Sequence, residues 1–301
     1  MTKPAPGMDH GLYPYSAFPK RSTLRWPGGE RLAFWVCLHL EYWELEPPED
    51  AHSDPRFQGE YGSFNPDYRS FTQREYGNRV GIFRVLDLFD HHQLKVTVAA
   101  NAGAVERYPQ IVEACLSRGY EFVAHGDVQN AMITSNVDEA AERDLIEATT
   151  TSIEAATGSR PVGWLGPDSG ESTRTPQLLA EAGYDYLLDW PNDDQPYMMT
   201  TDPALVSIPY QMEWDDVVAL WLRKVANPRY PEIVGEAFRG LHEEGARTGM
   251  LFGLPLHPWV IGQPHRIKYL EKTLADITQI DDVWQATAGD IAQYYRTLGR
   301  P

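Results

Sequence analysis

The feature that most constrains this chain is a sustained alternation of strand-like and helix-like segments over about 270 residues. Apolar runs of strand length include Leu32–Leu38, Lys95–Ala99, Glu121–Ala124, Val162–Leu165, Tyr186–Leu188, Leu205–Ile208 and Met250–Leu256. Between them lie segments with helical periodicity, at 77–90, 109–118, 137–157, 175–182, 233–244 and 266–277, with a last strand and helix over 283–298. Gly119 and Gly183 stand where two of these helices should stop. Strands that regularly alternate with helices predict a parallel α/β barrel rather than a sandwich or a bundle. No linker of changed composition divides the chain, so one barrel domain is expected over 31–301.

The flanks of this pattern are different. Residues 1–30 are rich in proline, have little periodicity and read as an extended N-terminal arm ending at the turn Pro27-Gly28-Gly29. Residues 44–72 have no period, yet carry Tyr61, Phe64, Tyr68 and Phe71, which favours a packed lid loop over a loose tail. A net charge of −17 with no Lys/Arg run argues against nucleic acid or an anionic membrane as partner. No apolar stretch reaches membrane-spanning length and no export signal is visible, so the expected location is cytoplasmic. Cys37 and Cys115 lack a metal-type neighbour and read as reduced, buried thiols.

In a parallel barrel, polar residues just after each strand face the active-site end. Here those positions hold His39, Glu41, Tyr42, Trp43 and Glu44; then His125, Gly126, Asp127, Gln129 and Asn130. Further along come Trp164, Asp168, Ser169 and Glu171; then Asp189, Trp190, Asn192, Asp193 and Asp194; and finally His257, Pro258 and Trp259. Histidines and carboxylates mixed with tryptophans predict an acid/base site with aromatic walls. Trp43, Trp164, Trp190 and Trp259 are the expected walls, and Glu171 and Arg79 the expected polar contacts to substrate. For Arg79 an ion pair with Glu75 is the equal alternative.

The order of these pieces resembles the motifs of the polysaccharide-deacetylase (NodB-homology) superfamily, in particular its allantoinase-like and cyclic-imidase branch. The resemblance runs from Trp26–Ala33 through Glu75–Gly81, Glu121–Gly126, Gly163-Trp164, Asn192–Tyr197 and Ile208–Tyr210 to Leu256–Pro258. It implies a distorted, TIM-like parallel (β/α) barrel of about seven strands, and an assembly that is commonly a homotetramer. Sugar-deacetylating members carry an Asp-Asp pair after the first strand and two histidines four residues apart. In this chain Glu41-Tyr42 and His125…Gln129 stand there, and Leu165 lies near the place of the family's arginine. A zinc-type site wants three or four N, O⁻ or S⁻ ligands, so no tightly bound catalytic metal is expected, with zinc as the alternative.

Amide hydrolysis then requires a base for water, stabilisation of charge on the carbonyl oxygen and a proton for the leaving nitrogen. Glu41 is the expected base. His257 is the acid by resemblance, oriented by Asp189 or Asp193, and His125 polarises the carbonyl or holds water. The reading is a C–N hydrolase acting on a small cyclic amide, imide or ureide. Its alternatives are a metal-dependent N-deacetylase of an amino-sugar polymer and a non-catalytic small-molecule binder.

Overall fold

The computed structural model describes residues 6–48, 51–52, 55–57 and 66–300. Nine strands lie in one sheet: β1 Leu32–Leu40, β2 Val96–Ala100, β3 Glu121–Ala124, β4 Gly163–Trp164, β5 Tyr186–Leu187, β6 Tyr197–Met198, β7 Val206–Ser207, β8 Met250–Leu256 and β9 Val283–Gln285. The helices are α1 Tyr68–Tyr76, α2 Ile82–His92, α3 Ala102–Arg107, α4 Pro109–Leu116, α5 Glu139–Thr157, α6 Thr175–Glu181, α7 Tyr230–Glu244, α8 Pro258–Ile261, α9 Ile267–Ile277 and α10 Ala288–Thr297. Wide π-type turns occupy Gly77–Gly81, joining α1 to α2, and Val217–Leu222.

The sheet runs β6-β7-β5-β4-β3-β2-β1-β8, with β9 also paired to β1. Every pairing is parallel except β6 with β7. The fold is thus the expected distorted (β/α) barrel, with two short strands beyond the predicted seven.

Side-chain parity explains how it works. Along β1, Leu32, Phe34, Val36, Leu38 and Leu40 join one buried cluster with residues of the flanking helices. Ala33, Trp35 and Cys37 join another, with Val123, Tyr186, Leu188, Val206, Ile208, Tyr210 and Leu251. Alternate residues of a strand point to opposite faces, so this second set lines the inside of the curl. Continuing each inward set past the strand end gives His39 and Glu41 from β1 and His125 from β3. The same rule gives Tyr210 from β7 and His257 from β8.

Closure between β7 and β8 is made by side chains. Gln211 donates to Leu251 O at 2.7 Å and accepts from Gly253 N at 2.5 Å, and Trp214 Nε1 donates to Gly253 O at 2.7 Å. The amide of Gln211 therefore pairs with β8 as a strand backbone would. Past the last ladder bond, from Ile208 N to Leu187 O, residues 209–216 leave the sheet and fold over the barrel mouth.

The arm lies along its own barrel: Arg21 forms a two-pronged pair with Asp193, and Thr200 N donates to Leu12 O. Of the expected lid aromatics, Phe71 sits on α1 edge-on to Tyr42, and Tyr68 is exposed. Tyr61 and Phe64 lie outside the described residues. Cys37 and Cys115 are buried free thiols. Among the described residues no helix is long and apolar enough to cross a membrane.

Candidate active site

The strand ends deliver a buried cluster around one carboxylate oxygen. Glu41 Oε1 lies 3.1 Å from His39 Nδ1, 3.5 Å from His257 Nε2 and 3.6 Å from His125 Nε2. All four side chains are almost fully buried. Glu41 Oε2 accepts from Trp43 Nε1 at 3.3 Å, and Asn78 Nδ2 donates to the Glu41 carbonyl at 2.7 Å. Asn101 ties two strand ends together, accepting from Tyr42 N at 3.0 Å and donating to the His125 carbonyl.

His257 is set by adjacent acids. Its Nδ1 donates to Asp216 Oδ1 at 2.7 Å, its backbone N–H also goes to Asp216, and Asp215 Oδ1 is 3.8 Å away. Burial opposes the imidazolium, but Asp215, Asp216 and Glu41 outweigh it and lift His257 to about 10. Burial likewise pushes Asp216 up to about 6, against the pull of His257. Near neutrality the pair is imidazolium and carboxylate. For Glu41, burial is outweighed by the His257 charge and by the adjacent His125 and His39 side chains, which hold it well below the usual carboxylate range.

A carboxylate at 2.7 Å on the far nitrogen fixes the ring so that Nε2–H points at Glu41 and the pocket. His125 Nδ1 donates to Leu165 O at 2.7 Å, since a carbonyl can only accept. Its Nε2 in the neutral ring is then an acceptor, suited to holding a water.

The pocket enclosing these groups measures ≈ 60 Å³ and is walled by Trp43, Trp259, Leu165, Tyr210, Met212, Val217 and Leu222. That is far smaller than the roughly 300–1,000 Å³ of a drug-sized site. Arg74 of α1 is 6% exposed and lies between the two tryptophans, its guanidinium carbon 4.5 Å from the Trp43 ring and 4.4 Å from the Trp259 ring. Burial lowers Arg74 to about 10, partly offset by Glu41 and Asp67, so it remains a cation beside the site.

Glycines make this approach possible. A Cβ at Gly81 would meet Pro258 O at 2.2 Å, and one at Gly77 would meet Trp259 N at 2.7 Å. The 77–81 turn therefore packs backbone to backbone against the segment that follows His257. Gly81→Ala is expected to cost about 1–3 kcal/mol by overpacking, and to lower kcat by displacing Pro258 next to His257. Thermal melting alongside kinetics checks this; an unchanged melting temperature would refute the tight packing.

Several expected site residues lie elsewhere. Asp193 pairs with Arg21 of the arm and does not touch His257. Asp189 accepts from Gly166 N at 2.6 Å and shares a hydrogen bond with Glu171, behind His125. Orientation of His257 falls to Asp216 instead, because residues 209–216 fold over the mouth. Glu171 also accepts from Trp190 Nε1 at 2.8 Å, and burial beside Asp189 pushes it well above the usual range, so the two carboxyls form a proton-sharing pair outside the pocket wall. Trp190 packs against His10 and Tyr13 of the arm. Trp164 is fully buried against Tyr184 on the helix side, because its parity is outward. Arg79 is exposed, 3.7 Å from Glu75. Glu41, His125, His257, Trp43 and Trp259 are brought together, and sequence reasoning gave no role to His39, Arg74, Asn78, Asn101, Tyr210, Asp215 or Asp216.

A divalent metal is the usual partner of such a fold. The donor atoms of His39, Glu41 and His257 lie within 4.8 Å of one another. However, the His39 and His257 rings are stacked face to face, 3.9 Å between centroids and 18° between planes. Ring-nitrogen lone pairs lie in the ring planes, so two stacked rings direct them past each other and not onto one ion at ~2.0–2.1 Å. Tyr42, at the place of the family's second acid, turns away and packs under Arg107, 4.0 Å from ring to guanidinium. This donor set does not fit a chelate.

Comparison with known proteins agrees with the geometry. The family described as Polysaccharide deacetylase matches residues 75–187. A "Putative polysaccharide deacetylase" of Schizosaccharomyces pombe is 29% identical over 239 residues, 73% of each chain. Among solved structures, "Puue Allantoinase" superposes with a TM-score of 0.82 at 26% identity, over 92% of this chain and 94% of that one. A probable polysaccharide deacetylase from Pseudomonas aeruginosa PAO1 follows at 0.81 and 27%, over 92% and 95%. Motif order, barrel topology and these likenesses agree in making the chain similar, over most of its length, to proteins of the polysaccharide-deacetylase (NodB-homology) superfamily.

Proposed function

We propose that this protein hydrolyses a C–N bond of a small cyclic amide, imide or ureide by metal-independent acid/base activation of water. The observation that carries the reading is a carboxylate base and a carboxylate-held imidazolium, Glu41 and His257–Asp216, 3.5 Å apart in a small aromatic pocket. A water held by Glu41 and His125 attacks the ring carbonyl carbon as Glu41 takes its proton. His257 Nε2–H protonates the departing nitrogen. Positioned acid and base groups each contribute about 10²–10⁴ in rate, enough for an activated ring. Pocket size, stacked imidazoles and likeness to an allantoinase support this choice of substrate.

The second reading is a metal-dependent N-deacetylase, favoured by the family match and by the name of the S. pombe relative. The test uses protein treated with a strong chelator, its metal content measured. It is offered allantoin, hydantoins, dihydropyrimidines and succinimides, and separately N-acetylglucosamine oligomers. Undiminished ring opening in the stripped protein is expected. Activity that appears only with added zinc, or acetate release in place of ring opening, overturns the proposal.

A further inference from the structure

Away from the pocket, on the outside of the barrel, α2 packs against α9, and three side chains of metal-ligand type meet there. His91 and His92 are the last two residues of α2, and Glu271 lies within α9. One donor atom from each of the three lies within 4.8 Å of the other two. Their surroundings differ: His91 is exposed, while the His92 side chain is 9% exposed and that of Glu271 41%.

The contact between His92 and Glu271 is long for a hydrogen bond and suited to two ligands of one ion. His92 Nε2 is 3.5 Å from Glu271 Oε1. That nitrogen is buried and has no hydrogen-bond partner. Zinc holds a histidine nitrogen at about 2.0–2.1 Å and a carboxylate oxygen at about 2.0–2.2 Å in a tetrahedron, which sets two such donors roughly 3.4 Å apart. The pair is already spaced as one edge of that tetrahedron.

His91 supplies a third corner. Its ring stands at 90° to that of His92, with centroids 5.0 Å apart. The two ring planes cross, so in-plane lone pairs from both can meet at one point, which the nearly parallel rings of His39 and His257 do not allow. Being exposed, the His91 ring can swing inward without displacing packed neighbours. The site also lies at the C-terminal end of α2, where the helix dipole favours a cation, on a chain of net charge −17.

We propose that His91, His92 and Glu271 bind a divalent transition ion of the zinc type, with water in the fourth position, and that the ion clamps α2 to α9. Two imidazoles and a carboxylate suit zinc, whereas magnesium and calcium prefer all-oxygen sites. The clamped helices continue from two segments that pack together beside His257: the 77–81 turn runs into α2, and residues 258–262 lead towards α9. The role is structural. It does not depend on the hydrolase reading, because the ion sits on the outer face and no catalytic step passes through it.

The test uses the full chain, stripped with a strong chelator and titrated with zinc sulfate against a chromophoric zinc indicator, with thermal melting in parallel. Binding of one zinc per chain and a rise in melting temperature are expected. Magnesium should do neither. His92→Ala and Glu271→Gln should each weaken zinc binding by about tenfold or more, since loss of outer-shell support alone costs about 10–100-fold. His91→Ala, at an exposed position, should do the same and keeps the test open if His92→Ala does not fold. No zinc bound, or binding unchanged in the variants, overturns the proposal. So does zinc binding that persists in His91→Ala and disappears in Glu41→Gln, which would put the ion in the barrel mouth. Ring opening should be equal in the stripped parent and in His91→Ala. Failure of the hydrolase reading therefore shows in activity, and failure of the clamp shows in zinc binding.

Discussion

Replacing Glu41 with glutamine is expected to lower kcat on a cyclic imide or ureide by about 10³-fold while the protein stays folded. The amide keeps the shape of the side chain and can still accept from Trp43 Nε1. It cannot take a proton from water. It also removes one of the three anions that raise His257, so the residual activity should lose its alkaline limb at lower pH than the parent. Both effects are read from kcat and kcat/KM against pH, with metal content held at background. Residual activity within tenfold of the parent would show that water is activated elsewhere, and the proposed mechanism would fail.

The residues involved differ in how far the sequence announces them. Glu41, His125 and His257 stand one or two positions beyond clear apolar strands, where a parallel barrel exposes its chemistry. His39 carries the same signal in a stricter form. Ala33, Trp35 and Cys37 form one face of β1, and His39 and Glu41 continue that face while Tyr42 leaves it. Reading the alternation through to the strand end assigns His39 inward, and the same rule places Trp164 on the outer face, against helices.

Asp215 and Asp216 had no such signal. They follow no strand, and an acidic pair before Val217–Leu222 reads as a solvated helix start. Their burial depends on Gln211 and Trp214 replacing the ladder between β7 and β8, a tertiary event with no local period. Arg74 was hidden for a related reason. It lies on a helix whose apolar pattern is weak, and its place between Trp43 and Trp259 is fixed by glycine contacts across 77–81 and 258–262. Asp189 and Asp193 were visible at a strand end, yet one is held by Gly166 N and Glu171 and the other by Arg21.

Asp216→Asn tests the part of the site that the sequence concealed. In the parent, Asp216 accepts from both the backbone and the ring of His257. An asparagine oxygen in the place of Oδ1 can still accept from both, but it carries no charge, and the amide group in the place of Oδ2 faces the His257 backbone N–H as a donor. With only Asp215 and Glu41 left to support it, the ring should lose its charge at a lower pH than in the parent, and kcat should fall about 10²-fold as the proton donor is less fully charged and less firmly oriented. Stability carries a sign as well. His257 is raised from an ordinary 6.5 to about 10, so the stability its charge contributes is complete below 6.5 and is lost as pH rises through about 10. Asp216 acts in the opposite sense over a lower window: burial lifts it from 3.8 to about 6, so its ionisation costs stability across that range. The melting-temperature gap between parent and variant should accordingly be wider at about pH 6 than at pH 8, and narrow further towards pH 10. A gap that stays constant across that range would mean that Asp216 serves only as a neutral hydrogen-bond acceptor, and His257 would then need another source for its proton.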